Sequence, residues 1–245
     1  MGVTNTLGQN TTANATWSQD CVLPGPANIE LTKDLNEYIM FGAEETNVNL
    51  HIEIATDPNN PIVDYKWYGG SVGSDSITEL ADATGQSYIV TQPGWYKAEI
   101  NANLNREHKS AQSAMCKVVA YPETPTVSIV ANVADEEGVI NIDPGATVEF
   151  TVAAGVTEKE GLAEELYKGT FEYIWMVNAP DTNGFVALTD TFPTAGMPAV
   201  ISGLGTANLL VRNVDNTAAY SYQCVVKHVL NNAEASATTE AFTII

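Results

Sequence analysis

Residues 171–177 read Phe-Glu-Tyr-Ile-Trp-Met-Val, and residues 63–68 read Val-Asp-Tyr-Lys-Trp-Tyr. In both stretches, large apolar or aromatic side chains recur at every second position, which is typical of a β-strand with one buried face. Trp175 and Trp67 occupy matching places and are predicted to point inward. The two stretches therefore predict one structural unit that occurs twice along the chain.

The same period-two pattern continues outward from these stretches, with turn residues at short intervals. It predicts many short antiparallel strands and no long helix. The second half repeats the order of the first after the proline-stiffened segment Tyr121 to Pro125. Further predicted strands span Val48 to Ile54, Ser87 to Val90, Ser113 to Ala120, Thr147 to Val152, Leu209 to Val214 and Ala235 to Ile244.

In each half a tyrosine follows some way after the tryptophan strand. Tyr96 lies two residues before Ala98, and Tyr222 lies two residues before Cys224. This arrangement resembles the core signature of immunoglobulin domains, in which that tyrosine bonds back to the backbone and a cysteine follows it. The resemblance implies that Trp67, Tyr96, Trp175 and Tyr222 are structural core residues.

The chain departs from the immunoglobulin pattern at its cysteines. Ala98 replaces the cysteine of the first unit, and the strand Thr147 to Val152 offers Cys224 no partner, so the intersheet disulfide is absent from both units. Three cysteines at wide spacing form neither a disulfide framework nor a zinc motif. Free buried thiols are the expectation, and a bridge between Cys21 and Cys116 is the alternative.

The predicted fold class is all-β, with two tandem immunoglobulin-like β-sandwiches. A flexible N-terminal arm spans residues 1–23, the first domain 24–121, the linker 122–126 and the second domain 127–245. Thr157 and Glu160 form a capping box, with acidic residues near the start and Lys168 at the end, so a short helix is predicted in the second domain. Leu162 and Leu166 are expected to cover the bottom of its core, and a partner-binding helix is the alternative.

Charge and hydropathy narrow the classes of partner. The formal charge is −20, from 30 acidic and 10 basic residues, which argues against nucleic-acid binding. No apolar run approaches the length of a membrane span. The N-terminus lacks the basic and apolar regions of a secretory signal, so we expect synthesis in a cytoplasm.

No pattern of catalytic or metal-binding residues emerges, and we expect no enzymatic activity and no cofactor. The histidines at 51, 108 and 228 are far apart in sequence and lack metal-ligand spacing. Calcium binding at the linker by Glu123 and the cluster Asp135 to Glu137 is an alternative to a solvated turn. Trp17, Tyr68 and Trp95 are the candidate partner-binding residues, because aromatics outside a core can stack on sugars or dock into grooves.

The tandem layout, the missing disulfides and the acidic, Asn/Thr/Ala-rich composition resemble the immunoglobulin-like proteins that decorate tailed bacteriophages. The resemblance implies a virion structural protein, a head-decoration or auxiliary capsid protein on the particle surface, with the major capsid protein or other virion proteins as partners. Host-surface glycans are a further implied ligand. The alternative is an adhesion or glycan-binding module of a phage tail or bacterial surface. The segment Thr238 to Ile245 is a candidate for pairing with a neighbouring subunit, which would give a homo-oligomer.

Overall fold

The computed structural model describes residues 28–55, 63–104, 107–133, 135–190, 200–214 and 218–245. These residues form twenty β-strands and, among them, no α-helix. None of the described residues belongs to a helix long and apolar enough to cross a membrane. The predicted arm, Trp17 and Cys21 lie outside the described residues.

The strands fall into two groups along the chain, as the repeated sequence pattern predicts. The first group contains β1 Leu31–Lys33, β2 Tyr38–Met40, β3 Val48–His51, β4 Glu53–Ile54, β5 Val63–Gly70, β6 Thr78–Glu79, β7 Ser87–Val90, β8 Gly94–Leu104, β9 Glu107–Gln112 and β10 Cys116–Val119. The second contains β11 Thr126–Ala131, β12 Val139–Ile140, β13 Thr147–Gly155, β14 Thr170–Asn178, β15 Val186–Ala187, β16 Val200–Ser202, β17 Asn208–Arg212, β18 Tyr220–Leu230, β19 Ala233–Thr238 and β20 Phe242–Ile244.

Both groups have the same order of strands in their larger layer. In the first half the order is β2-β10-β8-β5-β6, with β9 also paired to β8; in the second it is β12-β20-β18-β14-β15, with β19 paired to β18. The pairs β2–β10 and β12–β20 are parallel, and the other pairs are antiparallel. The opposite layer holds β1-β4 and β3-β7 in the first half, and β11-β13-β17-β16 in the second.

Each half has a core built around one tryptophan. Trp67 and Trp175 are almost fully buried, and each indole Nε1 donates to a backbone carbonyl, at 2.8 Å to Gly85 and 2.9 Å to Thr206. The two bonds satisfy the only polar atom of each indole, so neither ring carries an unpaired donor into the core. Separate core clusters surround the two rings.

Both halves show a strand break at a matching place, between β9 and β10 in the first half and between β19 and β20 in the second. The hydroxyl of Ser113 accepts from the N–H of Ala98 at 2.8 Å, and the hydroxyl of Thr239 accepts from the N–H of Cys224 at 3.0 Å. In both cases the hydroxyl replaces a carbonyl in the ladder, so the strand divides into β9 and β10 or into β19 and β20. The predicted strand Ala235 to Ile244 runs across the second break, whereas the predicted strand Ser113 to Ala120 begins at the first break and does not include β9.

Two sequence expectations are wrong. The predicted helix within residues 157–168 is a loop with a single 3-10 turn at Glu164–Leu166, and its capping residues make no helix. The segment Thr238 to Ile245 is not a free edge, since β20 pairs with β18 on one side and β12 on the other. Its apolar residues Phe242 and Ile244 are buried in their own core.

A candidate interaction site at the joint between the two halves

Trp95 lies where the two halves of the chain meet. It is 6% exposed and clusters with Val119 from β10, Leu166 from the loop between β13 and β14, and Leu230 from the end of β18. Tyr38, Met40, Ile77, Met115 and Ala163 surround this cluster as partly buried neighbours. We call these nine residues the joint cluster.

The expectation that Trp95 lies outside the cores and is available to a partner is therefore wrong. Strand alternation does place Trp95 on the face of β8 opposite to Tyr96, outside the first core. That part of the outer face, however, is covered by the 3-10 turn at Glu164–Leu166 of the second half. Leu166 of the same chain therefore contacts Trp95 where a sugar or a partner protein was expected to bind.

The loop between β13 and β14, which contains this 3-10 turn, also forms hydrogen bonds with the first half. The N–H of Ala120 donates to the carbonyl of Leu166 at 2.8 Å, and the N–H of Ala163 donates to the carbonyl of Ser71 at 2.8 Å. The Ser71 hydroxyl donates to the carbonyl of Gly161 at 2.8 Å. These three bonds connect the loop between β13 and β14 to the residues that follow β5 and β10 in the first half.

Charged and polar side chains surround the joint cluster. Lys117 Nζ lies 2.8 Å from a carboxylate oxygen of Glu165 and 5.7 Å from the centre of the Trp95 ring. Asn231 of the β18–β19 turn donates to the hydroxyl of Tyr38 on β2. The joint thus combines an apolar centre with a polar rim, which is the usual anatomy of a stable interface.

The linker is held by the second half through Glu123 and His228. Burial raises the pKa of the Glu123 carboxyl, but hydrogen bonds from Lys159 and from the N–H of Thr157 outweigh burial and leave the pKa below its ordinary value. His228 is fully buried; its Nδ1 donates to the Glu123 carbonyl at 3.0 Å, and its Nε2 accepts from the N–H of Gly169 at 3.1 Å. These two partners fix the proton on Nδ1.

The linker carboxylate is thus engaged by a lysine and a backbone N–H rather than facing open solvent. The acidic cluster Asp135 to Glu137 follows the other end of β11, and there Asp135 accepts from the N–H of Gly138 at 3.0 Å. Among the described residues, no three His, Cys, Asp or Glu side chains are grouped as metal ligands. The other histidines lie on separate strands, His51 on β3 and His108 on β9.

Tyr68 is placed differently from Trp95. It is half-buried on the outer face of β5, where its hydroxyl lies 3.4 Å from Glu99 and Lys97 Nζ lies 5.6 Å from its ring centre. A hydrogen bond from Asn101 is the main cause that lowers the pKa of Glu99. An open cleft of about 520 Å³ adjoins this face, lined by residues that include Asp64, Lys66, Glu79, Glu99, Asn101 and His108.

The structural core residues occupy matching sites in the two halves. The Tyr96 hydroxyl donates to the carbonyl of Gln92 at 2.8 Å, which is the tyrosine corner of an immunoglobulin domain, and Tyr222 is 3% exposed against Phe150. Burial raises the pKa of Tyr96 to about 12 and the pKa values of the free thiols Cys116 and Cys224 to about 11. The thiols are therefore protonated and unreactive near neutral pH.

The strand order, the two tryptophan cores and the tyrosine corner define tandem immunoglobulin-like β-sandwiches. No protein-family model matches the chain, and no curated protein matches it. Solved structures with a similar fold include the three N-terminal domains of the highly immunogenic outer capsid protein (Hoc) of bacteriophage RB49. That match has 13% identity and a TM-score of 0.43, and covers 88% of this chain and 68% of the other.

Two further similar structures come from animals. The N-terminal Ig1-2 module of the Drosophila receptor protein tyrosine phosphatase DLAR has 15% identity and a TM-score of 0.29, with 89% of this chain and 97% of the other covered. The amphioxus IgVJ-C2 molecule has 10% identity and a TM-score of 0.43, with 82% and 97% covered. At these identities the fold assignment rests on the strand order and core contacts of this chain itself.

Proposed function

We propose that this chain is a non-enzymatic structural protein of a tailed-phage particle, a head-decoration or auxiliary capsid protein that displays its immunoglobulin-like sandwiches on the particle surface. The observation that carries the proposal is the joint cluster. An apolar joint with a polar rim restricts relative motion of the two modules, which suits a protein that displays one module at a defined position relative to the other.

The distribution of charge supports a surface role. Seven of the eight lysines form ion pairs with glutamates, at Lys33, Lys66, Lys109, Lys117, Lys159, Lys168 and Lys227. Lys97 bonds instead to Gln112. Since 30 acidic residues face only 10 basic ones, most carboxylates carry no paired cation. Such a surface repels other particles of the same kind and disfavours contact with nucleic acid.

The cores support folding in the reducing cytoplasm of a host. Cys116 and Cys224 are buried free thiols, and the sheets of each half are held together by packing around Trp67 and Trp175 rather than by a disulfide. Disulfides are uncommon in cytosolic proteins because the thiol pool keeps cysteines reduced. A virion protein made before lysis would have to fold under these conditions.

The alternative function is an adhesion or glycan-binding module, and the face around Tyr68 favours it. Tyr68 presents a half-exposed ring beside Glu99, Asn101 and Lys97. An aromatic ring flanked by hydrogen-bonding groups is a common arrangement for stacking and orienting a ligand ring. This face remains open in the described part of the chain, whereas the outer face at Trp95 does not.

The test is cosedimentation of the purified protein with phage particles that lack it. The proposal predicts saturable, stoichiometric binding that is unchanged in Tyr68→Ala. A variant lacking residues 1–23 tests whether the arm makes the attachment. If the protein does not sediment with particles but binds sugars on a glycan array, and Tyr68→Ala loses that binding, the adhesion alternative replaces the proposal.

A further inference from the structure

The outer face of the sheet β11-β13-β17-β16 is exposed and carries few charges. It consists of every second residue within 126–130, 147–153, 200–202 and 208–212, whose side chains point away from the core. Most of these residues are small or β-branched, and Val130 and Val200 are 59% and 56% exposed. Glu149 and Arg212 are the only charged residues among them. We call this surface the neutral face.

The neutral face differs in its charges from the other outer face of the second half. The strands β14, β18 and β19 present Glu172, Lys227 and Glu234 there, and Lys227 already binds Glu234 at 2.9 Å. On the neutral face, neither Glu149 nor Arg212 forms an ion pair with any described residue. Both charges are therefore available to a group that comes from outside the molecule.

Glu149 and Arg212 lie diagonally across two neighbouring strands. Leu210 of β17 is directly opposite Glu149 of β13, and Arg212 is two residues farther along β17. Diagonal neighbours in an antiparallel pair are about 7–8 Å apart. The neutral face thus presents a negative and a positive group side by side.

This arrangement is complementary to a second copy of itself. A twofold axis that lies in the interface, midway between the two charged groups and perpendicular to the line joining them, exchanges their positions. Each Glu149 then lies opposite the partner's Arg212, so two ion pairs form. Leu210 neighbours both charged residues, at about 5 Å across the strands and about 7 Å along β17, so it lies beside the axis. The two Leu210 side chains therefore meet at the centre of the contact.

The net charge of −20 is compatible with this contact. The contact brings no like charges together, because each Glu149 faces an arginine. Repulsion between exposed charges farther apart than the Debye length, about 8 Å at physiological ionic strength, is largely screened. A partner with a strong charge of one sign would match only one of the two groups, so the charge pattern favours a second copy of this chain as the occupant.

We infer that this chain forms a weak twofold-symmetric dimer through the neutral face, with reciprocal ion pairs between Glu149 and Arg212 around a central pair of Leu210 side chains. The face measures roughly 15 by 20 Å. That is smaller than the patch of about 800 Å² per partner in a standard interface. A dissociation constant of about 10 μM to 1 mM is therefore expected. The inference concerns the free protein and does not depend on attachment to a particle.

Sedimentation equilibrium of the full-length protein tests the inference. The parent protein should dimerise with a dissociation constant below about 1 mM. Arg212→Glu places carboxylates opposite each other, and Glu149→Arg places guanidinium groups opposite each other, so each should weaken the dimer by at least about tenfold. An equimolar mixture of the two variants should recover the parent's affinity, because every arginine then meets a glutamate in the mixed dimer. Lys33→Glu, an equal change of net charge in the first half, should leave the dimer unchanged.

Cross-linking tests the position of the axis independently. Cys116 and Cys224 are buried, so a Cys21→Ser background has no exposed thiol in the described part of the chain. In that background, Leu210→Cys places a thiol beside the axis, and a short bifunctional maleimide should join two copies. Ser128→Cys, on the same face but far from the axis, should remain uncross-linked.

Three outcomes would overturn the inference. One is a parent protein that stays monomeric at concentrations up to about 1 mM. Another is a mixture of Arg212→Glu and Glu149→Arg that associates no better than either variant alone. The third is equal cross-linking of Leu210→Cys and Ser128→Cys, which decides the question even if a charge variant does not fold. Binding to particles is a separate measurement, so failure here would leave the proposed function standing.

Discussion

The imidazole Nδ1 of His228 donates a 3.0 Å hydrogen bond to the carbonyl oxygen of Glu123. This contact joins β18 to the linker, and the opposite ring nitrogen binds the N–H of Gly169 just before β14. Since the imidazole is fully buried, it acts as a polar bridge between three segments of backbone. The sequence shows only that His228 lacks metal-ligand spacing, and it does not predict this contact.

Replacing His228 tests this bridge. His228→Leu should lower the free energy of unfolding by about 1–3 kcal/mol, because it leaves two partly buried backbone groups without their imidazole partner. His228→Gln keeps an acceptor near the position of Nε2 and should lose less. Chemical denaturation followed by tryptophan fluorescence measures both. Equal stability of His228→Leu and the parent protein would contradict the proposed bridge.

The hydroxyls of Thr239 and Ser113, which lie at matching strand breaks in the two halves, predict a loss of stability when either is removed. Thr239→Val retains the shape of the side chain but removes the acceptor for the Cys224 N–H, so we expect a loss of about 1–3 kcal/mol of stability. Ser113→Ala should act in the same way in the first half. Thr239→Ser keeps the hydroxyl and serves as the control. If Thr239→Val and Thr239→Ser are equally stable, the hydroxyl does not sustain the ladder.

The tyrosine corner predicts a loss of stability at alkaline pH. Burial raises the pKa of Tyr96 from 10.0 to about 12. The unfolded chain therefore loses this proton first, so the contribution of Tyr96 is fully present below pH 10 and is lost as the pH rises toward 12. Tyr96→Phe should be less stable at neutral pH, since it lacks the bond to Gln92, and should show a shallower decline above pH 10. Parallel pH profiles would contradict this assignment.

The cysteines predict resistance to thiol reagents. Because the pKa values of Cys116 and Cys224 are raised to about 11 and both side chains are buried, neither thiol should react with a chromogenic disulfide at neutral pH while the protein is folded. Both should react after unfolding in denaturant. The substitution Cys21→Ser isolates these two thiols from the arm. Rapid labelling of folded Cys21→Ser would show that the sandwiches open readily.

Much of the fold is predictable from sequence because its signals are local. Alternation around Trp67 and Trp175 places both rings correctly, since a period of two fixes which face of a strand is buried. The strand breaks at Ser113 and Thr239 give no periodic signal. A single hydroxyl replaces a carbonyl there, and only the three-dimensional ladder reveals it.

The joint is predictable only in part. Alternation along β8 predicts that Trp95 lies on the face opposite to Tyr96. Whether solvent or another segment covers that face depends on contacts distant in sequence. The capping pattern of Thr157 and Glu160 indicates a helix, yet the segment 157–168 is drawn into a loop by backbone bonds with Ser71 and Ala120. Tertiary contacts of this kind override local propensity. The C-terminal strand β20, which contains Phe242, pairs with β18 and β12 of its own sheet, and these contacts are also distant in sequence.

The role of the joint cluster is tested most directly by measuring whether the two halves tumble as one body. Residual dipolar couplings for amides of both halves should fit a single alignment tensor in the parent protein. Leu166→Asp places a charge in the joint cluster and should produce two different tensors, whereas Val130→Asp, at an exposed strand position, should not. Two different tensors in the parent protein would contradict the claim that the joint around Trp95 fixes one half against the other.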